Sequence, residues 1–299
     1  MPMRRKKGDE MNRLPKHLTR LGGELWLTDD EPGLLTSVRI TDVLFEAQSP
    51  FQHVMIADTV PFGRALILDG IIQTTVAEGF IYNEMIAHVP LSVHPRAERV
   101  LIIGGGDLGA AREVLKYPFV RSVDLVEIDQ TVVEASRRYL PEIAGEALDP
   151  RLRLHFEDGA RFAARADGPY DVIIVDAADP IGPATVLFES PFYEALARLL
   201  AEDGLLVAQT DSPFHHPETA RRTLRALEAL FPIVRPYLAV VPSYPSGLWL
   251  FTLASRRYEA VRPLDPGIRT RYATTDVMRA AFALPPYVVE RIRPEGPSG

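Results

Sequence analysis

Asp107 stands inside a run of glycines, Gly104-Gly105-Gly106-Asp107-Leu108-Gly109, directly after the apolar stretch Val100-Leu101-Ile102-Ile103. Gly104, Gly106 and Gly109 satisfy the spacing of a dinucleotide-binding loop, whose backbone N–H groups and following helix end normally face a pyrophosphate. A carboxylate in that loop opposes an anion. At about 4 Å, two like charges repel by roughly 1–4 kcal/mol near a protein surface. The same carboxylate would hold a cation. The loop suits a nucleoside that carries no phosphate and has a positive charge nearby.

More acids recur at similar places. Glu127 lies about twenty residues after the loop, where an acidic side chain accepts both ribose hydroxyls. Asp158-Gly159 could accept the exocyclic amine of adenine, or serve only as a helix N-cap. Asp176 and Asp179 flank a short turn stiffened by Pro180 and Pro183. Two carboxylates beside one cleft can hold an ammonium and take its proton. A primary amine has an intrinsic pKa near ~10.4 and arrives protonated; removing that proton at neutral pH costs on the order of 4 kcal/mol. A positioned carboxylate acting as general base offsets part of that cost.

Strands must position these acids. The pattern from Arg99 onward alternates β and α, with strands expected at 99–103, 122–127, 152–156, 171–176 and 203–209. Helices are expected at 108–116, 130–139 and 190–202, and another at 78–90 before the first of these strands. This alternation implies a mostly parallel sheet covered on both faces, with an α/β fold class. Every acid named, with Asp211 after the last of these strands, falls at the carboxyl end of a strand, where such sheets bind ligands. Strands at 232–241 and 247–254 would close the sheet in antiparallel fashion. Upstream, residues 21–77 read as a small antiparallel β domain, with Asp69-Gly70 as a hairpin turn. Residues 1–20 read as a flexible tail, 78–288 as the catalytic domain, and 289–299 as a second tail, the chain trailing over the surface after Pro285.

Composition excludes several classes. The 299 residues contain no cysteine, which removes disulfides, thiolate nucleophiles and cysteine metal sites. The seven histidines lack ligand spacing, so no metal is expected. His215-His216 reads as a solvated helix start. The four lysines include only Lys116 outside the first segment, which argues against Schiff-base chemistry. A net charge of −7 with no basic block in the body disfavours nucleic acid. No apolar run is long enough for a membrane span, and the N-terminus lacks a signal core. A cytoplasmic enzyme acting on small molecules is the expectation.

Taken together, the chain resembles the spermidine synthase (polyamine aminopropyltransferase) family from about Leu25 to Pro286. The matching segments are Ser49-Pro50-Phe51-Gln52, Leu68-Asp69-Gly70-Ile71-Ile72-Gln73, Tyr82-Asn83-Glu84-Met85-Ile86-Ala87-His88, the Gly104–Asp107 loop, Val126-Glu127-Ile128-Asp129, Glu157-Asp158-Gly159, Asp176-Ala177-Ala178-Asp179-Pro180-Ile181-Gly182-Pro183 and Tyr244-Pro245-Ser246-Gly247. The resemblance implies a Rossmann-like, methyltransferase-type domain behind the β domain, and a homodimer or homotetramer. It implies transfer of an aminopropyl group from decarboxylated S-adenosylmethionine to an amine, with no prosthetic group. By position, Gln52, Gly104, Glu127, Asp158, Gly159 and Pro183 would hold the adenosyl part and Asp107 the amine of the transferred group. Asp176 would be the general base, with Tyr82, Asn83, Asp179 and Tyr244 shaping the acceptor site.

Five positions depart from the family pattern. Leu108 replaces a glycine and would add bulk beside the donor's tail. Asn83 replaces a Gln or His. Asp29 and Asp211 stand where Glu is usual, which shortens two acids of the distal amine pocket, and Glu31 stands where an aromatic is common. These differences suggest agmatine as acceptor alongside putrescine. They also leave open a second reaction, 3-amino-3-carboxypropyl transfer from intact S-adenosylmethionine. A methyltransferase and a non-catalytic binding relative are the remaining alternatives. The retention of Asp107 and Asp176 argues against the second of these.

Overall fold

The computed structural model describes residue 14 and residues 17–31, 33–145, 149–177 and 187–293. Two sheets organise it. The first has six antiparallel strands in sequential order: β1 (Leu18–Leu21), β2 (Glu24–Glu31), β3 (Leu34–Gln48), β4 (His53–Thr59), β5 (Gly63–Leu68) and β6 (Ile71–Thr75). The β5–β6 turn is Asp69-Gly70, both at positive φ (48° and 92°), the geometry that a two-residue hairpin needs. β1 begins within the segment expected to be a tail, because Leu18 pairs with Leu27 and is buried. The rest of that expected tail lies almost wholly outside the described residues.

The second sheet has seven strands in the order β12-β13-β11-β10-β7-β8-β9. They are β7 (Arg99–Gly104), β8 (Ser122–Glu127), β9 (Leu152–Phe156), β10 (Tyr170–Asp176), β11 (Leu200–Gln209), β12 (Ile233–Val240) and β13 (Leu248–Ser255). β7 to β11 are mutually parallel, and β13 and β12 close one edge antiparallel. The central parallel strands β7 and β10 are buried on both faces and read accordingly as unbroken apolar runs, Val100–Ile103 and Val172–Val175. The strand order reverses between β7 and β10, the switch point at which a cleft opens in such sheets.

The helices on this frame are α1 (Gly79–Val93), α2 (Gly109–Val114), α3 (Gln130–Tyr139), α4 (Pro141–Ala144), α5 (Gly159–Arg165), α6 (Ser190–Leu199), α7 (Pro217–Glu228), α8 (Thr275–Ala280) and α9 (Pro286–Ile292). Three expectations are corrected. α1 does not stop at Pro90 but runs to Val93, because burial of its last turn against the sheet outweighs the one backbone bond that proline forfeits. α6 ends at Leu199, three residues early, since Leu200 already enters the sheet opposite Tyr170. The chain after Pro285 does not trail: α9 buries Val288 and Ile292 against Leu224 of α7 and Leu250 of β13. Among the described residues, no helix is long and apolar enough to cross a membrane.

Glu84, inside α1, is 1 % exposed and accepts three backbone N–H bonds, from Arg271 (2.8 Å), Tyr272 (2.8 Å) and Ala273 (2.9 Å). It pins the segment before α8 to the helix that carries Tyr82. Glu84→Ala would orphan three buried donors at once. A loss of about 3 kcal/mol is expected in urea unfolding, with the apolar substitution Met85→Leu as a milder comparison.

Candidate active site

The ends of β7 and β10 meet because Gly104 allows it. A Cβ at Gly104 would sit 2.1 Å from the carbonyl oxygen of Asp176, and its φ is +85°. The next residue, Gly105, donates its N–H to that same carbonyl at 2.9 Å. The glycine loop is thereby stitched to the end of β10, so that Asp107 and Asp176 face one cavity of about 290 Å³.

Asp107 lies just ahead of α2, and its Oδ1 accepts the N–H of Gly109, the helix's first residue, at 2.8 Å. Burial and the like charge of Asp176 act on the pair. Asp107 is pushed above the usual carboxylate range by desolvation, against the pull of Gly109, Asn83, Arg112 and Thr74. Asp176 is pushed up to about 7 by desolvation and by the charge of Asp107, against the hydrogen bond from Tyr82. That bond runs from Tyr82 Oη to Asp176 Oδ1 at 2.7 Å. Desolvation and the adjacent acids keep the phenol protonated, which preserves it as a donor. Tyr82 is in turn held by Phe251 and Tyr244, at ring centroid distances of 5.1 and 6.1 Å. Tyr244 donates its own hydroxyl to the carbonyl of Gln73 at 2.6 Å and packs on Trp249.

On the other side of the loop, Glu127 ends β8. Its carboxyl is raised to about 7, chiefly by burial, although the N–H groups of Asp129, Ile128 and Gly106 pull the other way. Asp129 caps α3 through Thr131 and uses its second oxygen to bind Ser49 Oγ (2.6 Å) and Gln52 Nε2 (3.0 Å). These bonds bring Gln52, from the first sheet, to the wall of the cavity. Asp158 lines the wall beyond, capping α5 by accepting the N–H of Arg161 at 2.8 Å. Its neighbour Gly159 is packed against Ile103.

The strand order converts these residues into a row. Along the rim stand Asp158 after β9, Glu127 at the end of β8, Asp107 after β7, Asp176 at the end of β10 and Asp211 after β11. Four strand spacings of about 4.8 Å separate the first from the last, roughly 19 Å. Tyr244, from the β12–β13 turn, and Trp249, at the start of β13, close the Asp211 end together with Asp29 of the first sheet.

Two expected site residues lie elsewhere. Leu108 does not face the cleft. It adopts the left-handed conformation, φ 66°, and its side chain is 1 % exposed in the core with Ala110, Ala111 and Val114. That conformation costs a non-glycine residue about 1–2 kcal/mol, offset here by burial of the isobutyl group. Asn83 is off the cavity wall and 1 % exposed. It is one residue on from Tyr82, a third of a turn around α1, and so meets the glycine loop: a Cβ at Gly109 would lie 2.1 Å from Asn83 Nδ2. It supports Asp107 from behind by donating to its carboxyl. Asp179, Pro183 and the side chain of Glu31 lie outside the described residues.

The structure also brings forward residues that the sequence reading passed over. Ser49 and Asp129 join the two sheets, a contact across 80 positions that no local pattern announces. His215 and His216 line the cavity and are not merely a solvated helix start. Their place just after a strand end was the available signal.

Comparison with known proteins agrees with this architecture. Residues 25–76 match the spermidine synthase tetramerisation domain, and residues 79–262 the spermine/spermidine synthase domain. A polyamine aminopropyltransferase of Moorella thermoacetica is 47% identical over 273 residues, spanning 89% of this chain and 95% of that one. One from Bacillus subtilis is 43% identical, spanning 90% and 99%. A spermidine synthase solved with the transition-state analogue AdoDATO superposes with a TM-score of 0.85 at 34% identity, over 95% of this chain and 99% of that one. Spermidine synthase from Thermotoga maritima gives 0.82 at 33%, over 95% and 98%. The chain belongs to the spermine/spermidine synthase family of polyamine aminopropyltransferases.

Proposed function

We propose that the protein transfers a 3-aminopropyl group from decarboxylated S-adenosylmethionine to a primary amine, putrescine or agmatine, and releases methylthioadenosine. The observation that carries this reading is the row of carboxylates, with Asp107 and Asp176 paired at its centre and both raised. Adenosine would occupy the Asp158–Glu127 end, the ribose hydroxyls donating to Glu127 and the adenine amine to Asp158. The transferable chain would cross the glycine loop with its ammonium on Asp107. The acceptor would enter from the Asp211 end, with its reacting nitrogen at Asp176.

The step balances simply. The acceptor nitrogen gives its proton to Asp176 and attacks the methylene carbon bonded to the sulfonium. The C–N bond forms, the C–S bond breaks, and the electron pair leaves with sulfur as a neutral thioether. A base near 7 lies about three units closer to an ammonium of pKa near 10.4 than an ordinary carboxylate does. That closeness belongs to the cleft empty of cations; a bound sulfonium and ammonium favour the ionised carboxylate and draw its value back down. Tyr82 holds the carboxylate in one orientation for this transfer.

Transfer of a 3-amino-3-carboxypropyl group from the intact donor loses its basis, since Leu108 adds no bulk to the cleft. A donor carboxylate would also meet Asp107 and Asp176. The shortened acids Asp29 and Asp211 favour agmatine, whose planar guanidinium suits a fork of carboxylates. Residues 21–77 act as the oligomerising unit and 78–288 as the catalytic one, and exposed Leu21, Leu35 and Val60 on the first sheet suit a subunit interface.

Incubation with each donor and a mixture of putrescine and agmatine tests this reading by product mass. Methylthioadenosine and an aminopropylated amine are expected from the decarboxylated donor alone, with agmatine consumed faster. S-adenosylhomocysteine, or a carboxylated product, would contradict it. Faster use of putrescine would remove the agmatine assignment only.

A further inference from the structure

Resting on that reading, we infer that His215 is a specificity-determining residue, whose imidazole accepts a hydrogen bond from the distal cationic end of the acceptor. Among the described residues, two that line the cavity carry a ring nitrogen buried without a hydrogen-bond partner, Trp249 Nε1 and His215 Nε2. A buried polar atom left so costs stability unless a ligand satisfies it. The ends of a polyamine are donors only. Indole N–H is also only a donor, so it cannot pair with them. A neutral imidazole nitrogen can.

The position fits. His215 follows β11 by six residues, and β11 lies beyond β10 and Asp176 on the side away from Glu127. It therefore stands past the reacting nitrogen, where a diamine carries its second charge. Asp211, on the same wall, supplies the balancing negative charge. The loop is also held firmly. Ser212 closes it, with its carbonyl accepting from His216 N–H at 2.9 Å and its hydroxyl from His215 N–H at 3.3 Å. Phe214 packs edge-on against the imidazole, and the Arg291 guanidinium of α9 lies over the Phe214 ring at 4.7 Å. A third carboxylate here would add repulsion to a rim already crowded with raised acids. A neutral acceptor gives direction without that penalty.

The test compares a diamine with a monoamine of the same chain length, which keeps the reacting nitrogen and removes the distal one. His215→Phe should raise KM for the diamine about 10-fold or more. It should leave kcat within about twofold, the donor KM unchanged and the monoamine KM unchanged. His215→Gln, which restores an acceptor, should recover most of the loss and also serves if the phenylalanine variant folds poorly. Equal losses with monoamine and diamine, or no loss with either, would overturn the inference. Absence of any aminopropylated product from the unsubstituted enzyme would overturn the underlying reading with it.

Discussion

Asp176→Asn is expected to cut kcat by about 10²- to 10⁴-fold while the protein still binds the adenosyl donor. The amide keeps the shape of the carboxyl and can still pair with Tyr82, but it cannot take a proton. On the proposed reading, binding of the donor rests mainly on Glu127, Asp158 and Asp107, which stay in place. Removing one of two like charges lets Asp107 ionise more readily, so donor affinity should hold or improve slightly. The pH profile supplies an independent check. In the free enzyme Asp176 must lose a proton that it holds up to about 7. For the unsubstituted enzyme kcat/KM should therefore rise with pH and level off above about 7. The residual activity of the asparagine variant should lose that limb. Turnover unchanged by the substitution would mean that another group is the base.

Asp107→Asn is expected to make the empty protein more stable and nearly inactive. Asp107, Asp176 and Glu127 all have folded values raised above the ordinary carboxylate range. Below about pH 4 all three are protonated both folded and unfolded, and they cost nothing. As pH rises, the unfolded chain ionises first. The native state then holds protons that the unfolded chain has released, and stability falls until the folded values, near 7 for Asp176 and Glu127 and raised for Asp107, are passed. The penalty is greatest above that point. All three carboxyls face the cleft, so water there reduces it well below the fully buried figure. Removing one acid should raise Tm by about 2–4 °C at pH 8, and by nothing measurable at about pH 3. The same change removes the anchor of the transferable ammonium, and kcat/KM for the donor should fall about 10²-fold. A variant less stable than the parent at pH 8 would show that Asp107 serves the fold and not the ligand.

Much of the site could be read from the chain because strand ends are legible. An acid at the end of an expected strand falls on the rim whatever the rest of the fold does, and Asp107, Glu127, Asp158, Asp176 and Asp211 all stand at or just after strand ends. The row they form needed the strand order, which no single run discloses. Side-chain direction was harder. Leu108 sits in a loop that lines the cleft, yet a left-handed backbone turns its side chain under the loop into the core. Asn83 neighbours Tyr82 in sequence, but a helix separates adjacent residues by about 100°, and only one of them faces the cleft. His215 looked polar and therefore solvated, whereas the structure buries its Nε2. Pro90 and the proline-rich end misled for one reason: tertiary burial, of Val93 in one case and Ile292 in the other, overrode a local stop signal.

If the row of raised carboxyls receives a cationic donor chain, its acids must ionise as that chain binds. Calorimetry of donor binding at pH 7, repeated in buffers of different ionisation enthalpy, measures it directly as protons released. Decarboxylated S-adenosylmethionine should drive Asp107 and Asp176 to ionise and release protons. Methylthioadenosine reaches Glu127 but has no aminopropyl group, and should release fewer. Equal release by the two ligands, or none with the donor, would contradict the account.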